Sequence, residues 1–192
     1  MIAADALLSA YSSGWFPMAV APGEIRWYSP DPRGIIPLDT FHVSRRLARS
    51  LRQRRFEVRI NTSFRAVIQA CAEREDSDGD WIDDEIIASY CALHEQGFAH
   101  SVETWRDGVL VGGLYGVAVG GAFFGESMFH RESDATKAAL AGLVDRLRAR
   151  GYTLLDTQWV TEHLMQFGAI EIPRRRYLRL LDEALAIEAA FV

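Results

Sequence analysis

Three neighbouring segments in the middle of the chain alternate between apolar and small or polar positions. They read HSVETW at 100–105, VLVGGLYGVAVG at 109–120 and AFFGESMF at 122–129. Alternation with a period of two is typical of β-strands, and the short Arg-Asp-Gly and Gly-Gly connections favour hairpin turns. The pattern therefore predicts three antiparallel strands that follow one another in a single sheet.

Apolar positions spaced three and four residues apart predict helices on both sides of these strands. Ser44 and Ser63 are suited to begin two helices, and Gly97 and Gly151 are suited to end two others. The predicted helices cover 4–13, 44–55, 63–73, 83–96 and 134–150, with a short one near 163 and a last one from 177. Further strands are predicted at 56–61, 153–160 and 169–173.

The segment 15–37 is rich in aromatic residues and proline. Because proline lacks a backbone N–H, only a short strand at about 25–28 is predicted there. The order of elements predicts an α+β fold with a mixed, mainly antiparallel sheet flanked by helices, a layout shared with acyltransferases of the GNAT type. We expect a small N-terminal α/β part at 1–62 and the GNAT-like part at 63–192.

Composition adds little to this picture: of 192 residues, 49% are hydrophobic and 24% are charged, as in ordinary soluble domains. The two cysteines, Cys71 and Cys91, lie in predicted helices, so a disulfide framework is not expected. The N-terminus lacks a signal-peptide pattern, and the uncharged run at 108–125 is better explained by a hairpin than by a membrane span. We expect a cytoplasmic monomer that does not bind membranes.

Charge is unevenly distributed, because the net charge is −5 and yet 20 of the 21 basic residues are arginine. Six of them form a cluster within the helix predicted at 44–55, and no acidic residue lies in that segment to offset their mutual repulsion. The cluster consists of Arg45, Arg46, Arg49, Arg52, Arg54 and Arg55. We expect it to bind nucleic-acid phosphates, with a solvated face as the simpler alternative. Aromatic residues in predicted loops, namely Trp15, Phe16, Trp27, Tyr28 and Trp81, are suited to stack on bases.

Motifs for metal binding and covalent catalysis are not found. The acidic stretch at 76–80 begins like a calcium loop, but Trp81 and Ile87 occupy the positions where an EF-hand needs glycine and glutamate. The five histidines show no metal-binding spacing, and no nucleophile elbow is present. We therefore expect no metal site and no covalent catalysis.

An acid and an amide lie two positions apart in the predicted strand TLLDTQWV. Alternation would place Leu154, Asp156, Gln158 and Val160 on one side of that strand. Burying such polar groups is costly, so their presence calls for a function. Glu126, in the strand AFFGESMF, would complete an acidic site with Asp156 if the two strands are neighbours.

Several segments resemble, in the same order, the leucyl/phenylalanyl-tRNA–protein transferase family. The most specific are GESMF at 125–129 and DTQWVTEHLMQFGAIEIPRR at 156–175. LHEQGFAHSVETW at 93–105 is nearly as specific, and AYSSGWFP at 10–17 and WYSPDPRG at 27–34 extend the likeness over nearly the whole chain. The resemblance implies transfer of Leu or Phe, with Met as a further aminoacyl group, from aminoacyl-tRNA to proteins that begin with Arg or Lys. It also implies that the reaction needs neither a metal nor a cofactor. Such labelling would create a degradation signal of the N-end rule.

The resemblance also implies residue roles. Asp156 and Gln158 would be the catalytic pair, with Glu126 on the neighbouring strand. Trp81 would pack on the terminal adenosine, with Tyr90 close by, and Tyr11 would also bind substrate. The positions that would line the aminoacyl side-chain pocket are Leu114, Phe123, Met128, Leu143 and Leu147. Met18 stands where the family has a tryptophan, so Trp15 or Trp27 could complete the stack on the adenosine.

The two members of the catalytic pair differ in chemistry. The Gln158 amide can orient the acceptor amine but cannot take its proton, so we expect Asp156 to draw that proton. Two alternatives remain, an acyl-CoA N-acyltransferase of the same fold and a non-catalytic RNA- or peptide-binding module. The stretch 130–140 has no glycine for a pyrophosphate cradle, which disfavours CoA, and a binding module has no use for the pair.

Overall fold

A computed structural model describes residues 1–21, 23–73 and 81–192, so the acidic stretch at 76–80 lies outside the described residues. The helices are α1 (Ala4–Ser12), α2 (Arg45–Arg52), α3 (Phe64–Ala72), α4 (Asp84–Glu95), α5 (Ala135–Ala149), α6 (Glu162–Met165) and α7 (Arg174–Leu185), with a 3₁₀ turn at Leu38–Thr40. The strands are β1 (Phe16–Ala21), β2 (Glu24–Tyr28), β3 (Arg33–Ile35), β4 (Glu57–Ile60), β5 (Ala99–Arg106), β6 (Val109–Val119), β7 (Ala122–His130), β8 (Leu154–Gln158) and β9 (Ile170–Ile172).

One seven-stranded sheet has the order β4-β5-β6-β7-β8-β3-β9. All neighbours are antiparallel except β7 and β8, which are parallel. A parallel pair needs a crossover, and α5 provides it. The predicted α+β class and the meander β5-β6-β7 are confirmed.

Helices cover both faces of this sheet. One face packs against α1, α3, α4 and α7, which bury Leu7, Ile68, Tyr90 and Leu181 among others. The opposite face packs against α2, α5 and α6, and Leu143 of α5 lies in that second core. Side chains that alternate along the central strands are thus buried on both faces of the sheet, not on one face only.

The N-terminal third contains more strand than the sequence pattern indicates. The segment 15–37 forms β1, β2 and β3. The predicted short strand at 25–28 is confirmed as β2, whereas the expectation of no other strand in this segment is wrong. Pro17 is tolerated because β1 and β2 form a separate two-stranded hairpin, in which Pro17 is opposite Trp27. The division after residue 62 stays a prediction; β3 and β4, which precede it, join the same sheet as β5–β9.

Two helix starts differ in detail from the expected caps. Ser63 precedes α3, but its side chain makes no capping bond; instead its backbone N–H donates to Glu103 Oε1 at 2.8 Å. The last helix begins at Arg174, directly after Pro173 and three residues earlier than predicted. Within the described ranges, no helix combines the length and the apolar character that crossing a bilayer requires.

Candidate active site

Glu126 is the extra residue of a bulge in β7. Tyr115 of β6 is opposite Ser127, and the next residue, Gly116, is opposite Gly125, so Glu126 has no partner on β6. A Cβ atom on Gly116 would lie 2.2 Å from the carbonyl oxygen of Phe124, so only glycine allows this close crossing. Bulges re-aim side chains, and this one turns the Glu126 carboxylate out of the strand pairing.

Gln158 ends β8 in a left-handed backbone conformation, with φ of 58°. Its backbone N–H donates to Asp156 Oδ1 at 2.8 Å, and its side-chain Nε2 donates to Glu126 Oε1 at 3.1 Å. The pairing of β7 with β8 ends at Phe124 and Asp156. Beyond that point the gap between the strands is bridged by the side chains of Glu126 and Gln158. A non-glycine residue with positive φ is uncommon and is frequently found at functional sites.

Asp156 has no exposed surface and is fully hydrogen-bonded. Arg33 donates from Nε to Oδ1 at 2.9 Å and from Nη2 to Oδ2 at 2.6 Å. Tyr177 donates to Oδ2 at 2.7 Å, and the Gln158 backbone occupies the remaining site on Oδ1. Arg33 is equally buried and lies between the rings of Phe16 and Tyr177. Four donors thus surround one carboxylate and leave no site on it for a proton from substrate.

Among the described residues, no cation is a direct partner of Glu126. The Tyr90 hydroxyl donates to its Oε2 at 3.3 Å, and the Tyr90 hydroxyl is itself hydrogen-bonded to that of Tyr11. Burial raises the pKa of Glu126 to about 8, and the negative charge of Asp156 adds to the rise, while hydrogen bonds from Tyr11 and Tyr90 oppose it. A carboxyl group with such a pKa is suited to exchange protons near neutral pH.

A cavity of about 460 Å³ opens where β7 and β8 part. Its apolar part lies on the α5 side of the sheet and is lined by Leu114, Met128, Leu140, Leu143, Leu155 and Leu164. Glu126 and Gln158 lie between this apolar part and a rim formed by three aromatic residues, Phe16, Trp81 and Trp159, together with Met18, which we call the aromatic rim. This apolar part, which we call the apolar chamber, ends at one carboxyl group and one amide. Such an arrangement is typical of a binding site for a small apolar group with a reactive polar end.

The aromatic rim is held by the N-terminal hairpin. The backbone N–H of Ala19 in β1 donates to the Trp81 carbonyl oxygen at 3.2 Å. The ring of Phe16 meets that of Trp159 edge to face, with centroids 5.1 Å apart. Gly34 permits the Trp159 backbone to cross β3, since a Cβ there would lie 2.5 Å from the Trp159 carbonyl carbon. The hairpin thus forms one wall of the site.

Polar residues of the cavity do not form a metal site. Within 1–21, 23–73 and 81–192, no three His, Cys, Asp or Glu side chains converge in a way that could hold a metal ion. His163 lines the cavity, and its buried Nε2 has no hydrogen-bond partner among the described residues. Burial lowers the pKa of His163, assisted by Lys137 and His130. A neutral imidazole is therefore expected at this wall.

Comparison with known proteins decides the family. The family model "Leucyl/phenylalanyl-tRNA protein transferase" matches residues 35–182, and the model of the N-terminal domain of the same family matches residues 1–31. A leucyl/phenylalanyl-tRNA–protein transferase of Gloeobacter violaceus is 55% identical over 188 residues, which cover 97% of this chain and 96% of that protein. One of Rhodopseudomonas palustris is 56% identical over 193 residues, covering 99% and 86%.

The chain belongs to the leucyl/phenylalanyl-tRNA–protein transferase family. It is therefore an enzyme of the aminoacyltransferase class, and the resemblance inferred from the sequence is confirmed.

Solved structures give only a weak likeness. L-PGS from Bacillus licheniformis has a TM-score of 0.46 and 15% identity, covering 84% of this chain and 55% of that one. A ribosomal-protein-alanine N-acetyltransferase from Brucella melitensis biovar Abortus 2308 has a TM-score of 0.37 and 16% identity, covering 50% and 74%. Likeness at this level carries nothing about the chemistry of a transferase of this family.

The structure brings together most of the site residues that the transferase family resemblance implied. Glu126 and Asp156 lie on neighbouring strands, as the sequence argument required, and Gln158 connects them. Four predicted binding residues line the cavity, namely Trp81, Leu114, Met128 and Leu143. Tyr11 and Tyr90 lie behind Glu126 rather than at the cavity surface.

Other expectations need correction. Phe123 and Leu147 do not line the cavity; Phe123 is opposite Leu155 where β7 and β8 are still paired, and its ring packs on Phe191 at 5.2 Å. Val160 does not share a side with Asp156, because β8 ends in the left-handed turn at Gln158.

The aromatic rim differs from the expected one as well. Neither Trp15 nor Trp27 lines the cavity, whereas Trp159, which the sequence argument did not consider, does. The role of Asp156 as the acceptor of the substrate proton does not fit its four hydrogen bonds.

All six arginines of the 45–55 cluster are exposed. Two of them have acidic partners outside the segment: Arg46 contacts Asp134 at 3.3 Å, and Arg55 contacts Glu132 at 3.5 Å. The first of these pairs places the start of α2 beside the start of α5, whose Thr136 lines the cavity. The nucleic-acid role of the cluster stays a prediction.

Sequence reasoning missed Arg33 entirely. It lies in a proline-rich segment that the pattern assigned to a loop, yet it is the direct partner of Asp156. One signal was available: a carboxylate predicted inside a sheet needs a cation, and only arginine forms a two-pronged pair with it. His163, Thr136 and Leu140 were also missed, because their positions on helices look like ordinary core or surface positions.

Proposed function

We propose that the protein transfers Leu or Phe, with Met as a further aminoacyl group, from aminoacyl-tRNA to the α-amino group of proteins that begin with Arg or Lys. The observation that carries this proposal is the Glu126–Gln158 contact at the junction between an apolar chamber and an aromatic rim. Family membership favours this reaction over acyl-CoA transfer and over a non-catalytic binding module.

The apolar chamber suits the aminoacyl side chain. Leu114 and Met128 are opposite each other on β6 and β7, and Leu140 and Leu143 of α5 form the facing wall. Such pockets discriminate single methylene groups by only ~1–3 kcal/mol, so overlapping use of Leu, Phe and Met is expected.

The terminal adenosine of the tRNA would lie at the aromatic rim, on Trp81 and Met18. Base stacking on an aromatic ring contributes ~1–3 kcal/mol per base. Phosphates of the acceptor end would meet the exposed arginines of the 45–55 cluster, which lie beside the start of α5.

Glu126 is our candidate for the group that receives the acceptor. An N-terminal Arg or Lys carries two positive charges, and Glu126 is a carboxyl group beside the chamber with no cationic partner in the part of the chain that the structure describes. The side-chain carbonyl of Gln158 would orient the amine. Asp156, held by Arg33, would fix the Gln158 backbone and thus act as a positioning residue.

The reaction is an aminolysis of an ester. The acceptor ammonium gives one proton to Glu126, and the free amine attacks the ester carbonyl carbon. The bond between that carbon and the ribose oxygen then breaks, and the second proton of the nitrogen passes to the leaving oxygen. An amide and a free tRNA hydroxyl result, and Glu126 returns its proton to water. Because an ester is already activated, proximity suffices, and it can supply ~7 kcal/mol.

The same proposal covers the cellular setting. Labelled proteins would carry a new N-terminal degradation signal, and the reaction would take place in the cytoplasm, where aminoacyl-tRNA is found. The proposal takes the protein to act as a monomer.

A transfer assay tests the function directly. Purified protein is mixed with radiolabelled Leu-tRNA and a peptide that begins with Arg, without ATP or CoA. The matched controls are the same peptide with an acetylated N-terminus and one that begins with Ala. We expect label in the Arg peptide only; no label, or equal label in all three, refutes the proposal.

A further inference from the structure

Two buried tyrosines form a hydrogen-bonded chain that ends on Glu126. The Tyr90 hydroxyl donates to Glu126 Oε2 at 3.3 Å, and the Tyr11 hydroxyl is hydrogen-bonded to that of Tyr90. Both tyrosines have no exposed surface, and neither lines the cavity. They are therefore placed to act on the substrate only through Glu126.

The two tyrosines come from helices that pack on the same face of the sheet. Tyr11 lies near the end of α1, with its ring 4.9 Å from that of Phe124. Tyr90 lies in the middle of α4, with its ring 5.7 Å from that of Tyr115. Aromatic contacts of this kind fix the rings, so the hydroxyl groups have defined positions.

We propose that Tyr90, held in place by Tyr11, is a positioning residue that fixes the Glu126 carboxyl group and so sets the pH range of transfer. The inference rests on the proposed function for its catalytic consequence. The positioning of the Glu126 carboxyl group by Tyr90 concerns the protein alone and does not depend on the proposed function.

The surroundings of Glu126 determine the direction of the effect. The groups that face it are Tyr11 from α1, Tyr90 from α4, Tyr115 from β6, Asp156 and Gln158 from β8, and Arg33 from β3. Burial raises the pKa of all three tyrosines well above the ordinary value, so they stay neutral. Burial also raises the pKa of Glu126, and the neighbouring hydroxyl groups of Tyr11 and Tyr90 lower it. Removing either phenol should make Glu126 harder to ionise.

Tyr115 supplies a matched control. It is as completely buried as Tyr90 and packs against it, but its hydroxyl has no hydrogen-bond partner among the described residues. Tyr115→Phe therefore removes the same atom from the same neighbourhood without removing a hydrogen bond to Glu126.

The activity test is the pH dependence of kcat between pH 6 and 9.5 with one acceptor peptide, so that the titration of the acceptor amine is common to all variants. We expect the midpoint of the acidic limb, where kcat rises with pH as Glu126 ionises, to lie ~0.5–1 pH unit higher in Tyr90→Phe than in the wild type. Tyr11→Phe should move it in the same direction, and Tyr115→Phe should leave it in place. Coinciding profiles for Tyr90→Phe and the wild type, or an equal shift in Tyr115→Phe, overturn the inference.

A second measurement separates this inference from the proposed function. The Glu126 carboxyl is titrated by ¹³C NMR in the protein without substrates, its signal being the one that Glu126→Gln removes. A higher midpoint in Tyr90→Phe but not in Tyr115→Phe supports the positioning role, even if the wild type shows no transfer and the proposed function fails. An unchanged Glu126 midpoint in Tyr90→Phe overturns the inference whether or not the wild type is active.

Discussion

Arg33 and Asp156 are 123 positions apart in the chain and form a two-pronged ion pair, in which neither side chain has any exposed surface. The pair joins β3 to β8, and Arg33 also donates to the Gly14 carbonyl oxygen at 2.9 Å. It therefore ties the turn after α1 and the centre of the sheet to the strand that carries Gln158.

Breaking this pair should destabilise the protein strongly. Arg33→Met leaves a buried carboxylate without its cation, which costs ~3–5 kcal/mol in comparable cases. Urea denaturation measures the loss. Arg26→Met is the matched control, because Arg26 pairs with Glu24 on the surface and its loss should be far smaller. Similar unfolding midpoints for the two variants would show that the buried pair has no structural role.

The selectivity of the chamber should depend on Leu143 and not on Leu147. Both are almost completely buried leucines of α5, but only Leu143 lines the cavity. Leu143→Val and Leu147→Val should each lose ~1 kcal/mol of stability. Only Leu143→Val should raise transfer of Phe relative to Leu, by up to ~10-fold, because it enlarges the chamber. The measurement is kcat/KM for the two aminoacyl-tRNAs; a ratio that changes equally in both variants contradicts the assignment of the chamber.

Binding of the terminal adenosine to the wall formed by the aromatic rim should depend on Trp81. Trp81→Ala removes a stacking surface and should raise KM for aminoacyl-tRNA ~5- to 150-fold. Trp27→Ala, a change on the neighbouring hairpin, should leave KM unchanged, because Trp27 does not line the cavity. Met18→Trp should lower KM by adding an aromatic surface to the rim that Trp81 also lines. Equal effects of Trp81→Ala and Trp27→Ala would argue against this wall.

Stability should fall as pH rises because of Glu126. Burial raises the pKa of Glu126 from 4.5 to about 8, so the folded state holds a proton that the unfolded state has lost. The stabilisation is complete below about pH 4.5 and is lost as pH rises through 8, with a slope of at most ~1.4 kcal/mol per pH unit. Glu126→Gln removes this dependence. Its free energy of unfolding relative to wild type should therefore increase from pH 5.5 to pH 8; a constant difference would show that Glu126 titrates normally.

The regular parts of the fold could be predicted because local pattern determines them. The alternation in β5, β6 and β7 identified the meander, and the periodicity of α4 and α5 identified two long helices. The strands β1 and β3 could not be predicted, because proline argues locally against a strand. In addition, β3 is paired only through its tertiary partners, which are β8 and β9.

The candidate site divides in the same way. Asp156 and Gln158 were evident as polar residues in an apolar strand, and Glu126 as an acid among aromatic residues. That Asp156 is occupied by Arg33 depends on a contact across 123 residues. That Leu114 lines the cavity while Phe123 does not depends on where β7 and β8 cease to pair. Neither the Arg33 contact nor the end of the β7–β8 pairing can be predicted from the local sequence pattern.

The rate of a single turnover with Leu-tRNA and an Arg-peptide tests the central claim, that Glu126 takes the proton of the acceptor. Glu126→Gln keeps the shape and the hydrogen bond with Gln158 but cannot accept a proton. Glu132→Gln is the matched control, since Glu132 pairs with Arg55 and Arg106 outside the cavity. We predict a loss of ~10²-fold or more for Glu126→Gln and no loss for Glu132→Gln. Transfer by Glu126→Gln at the wild-type rate would contradict the account.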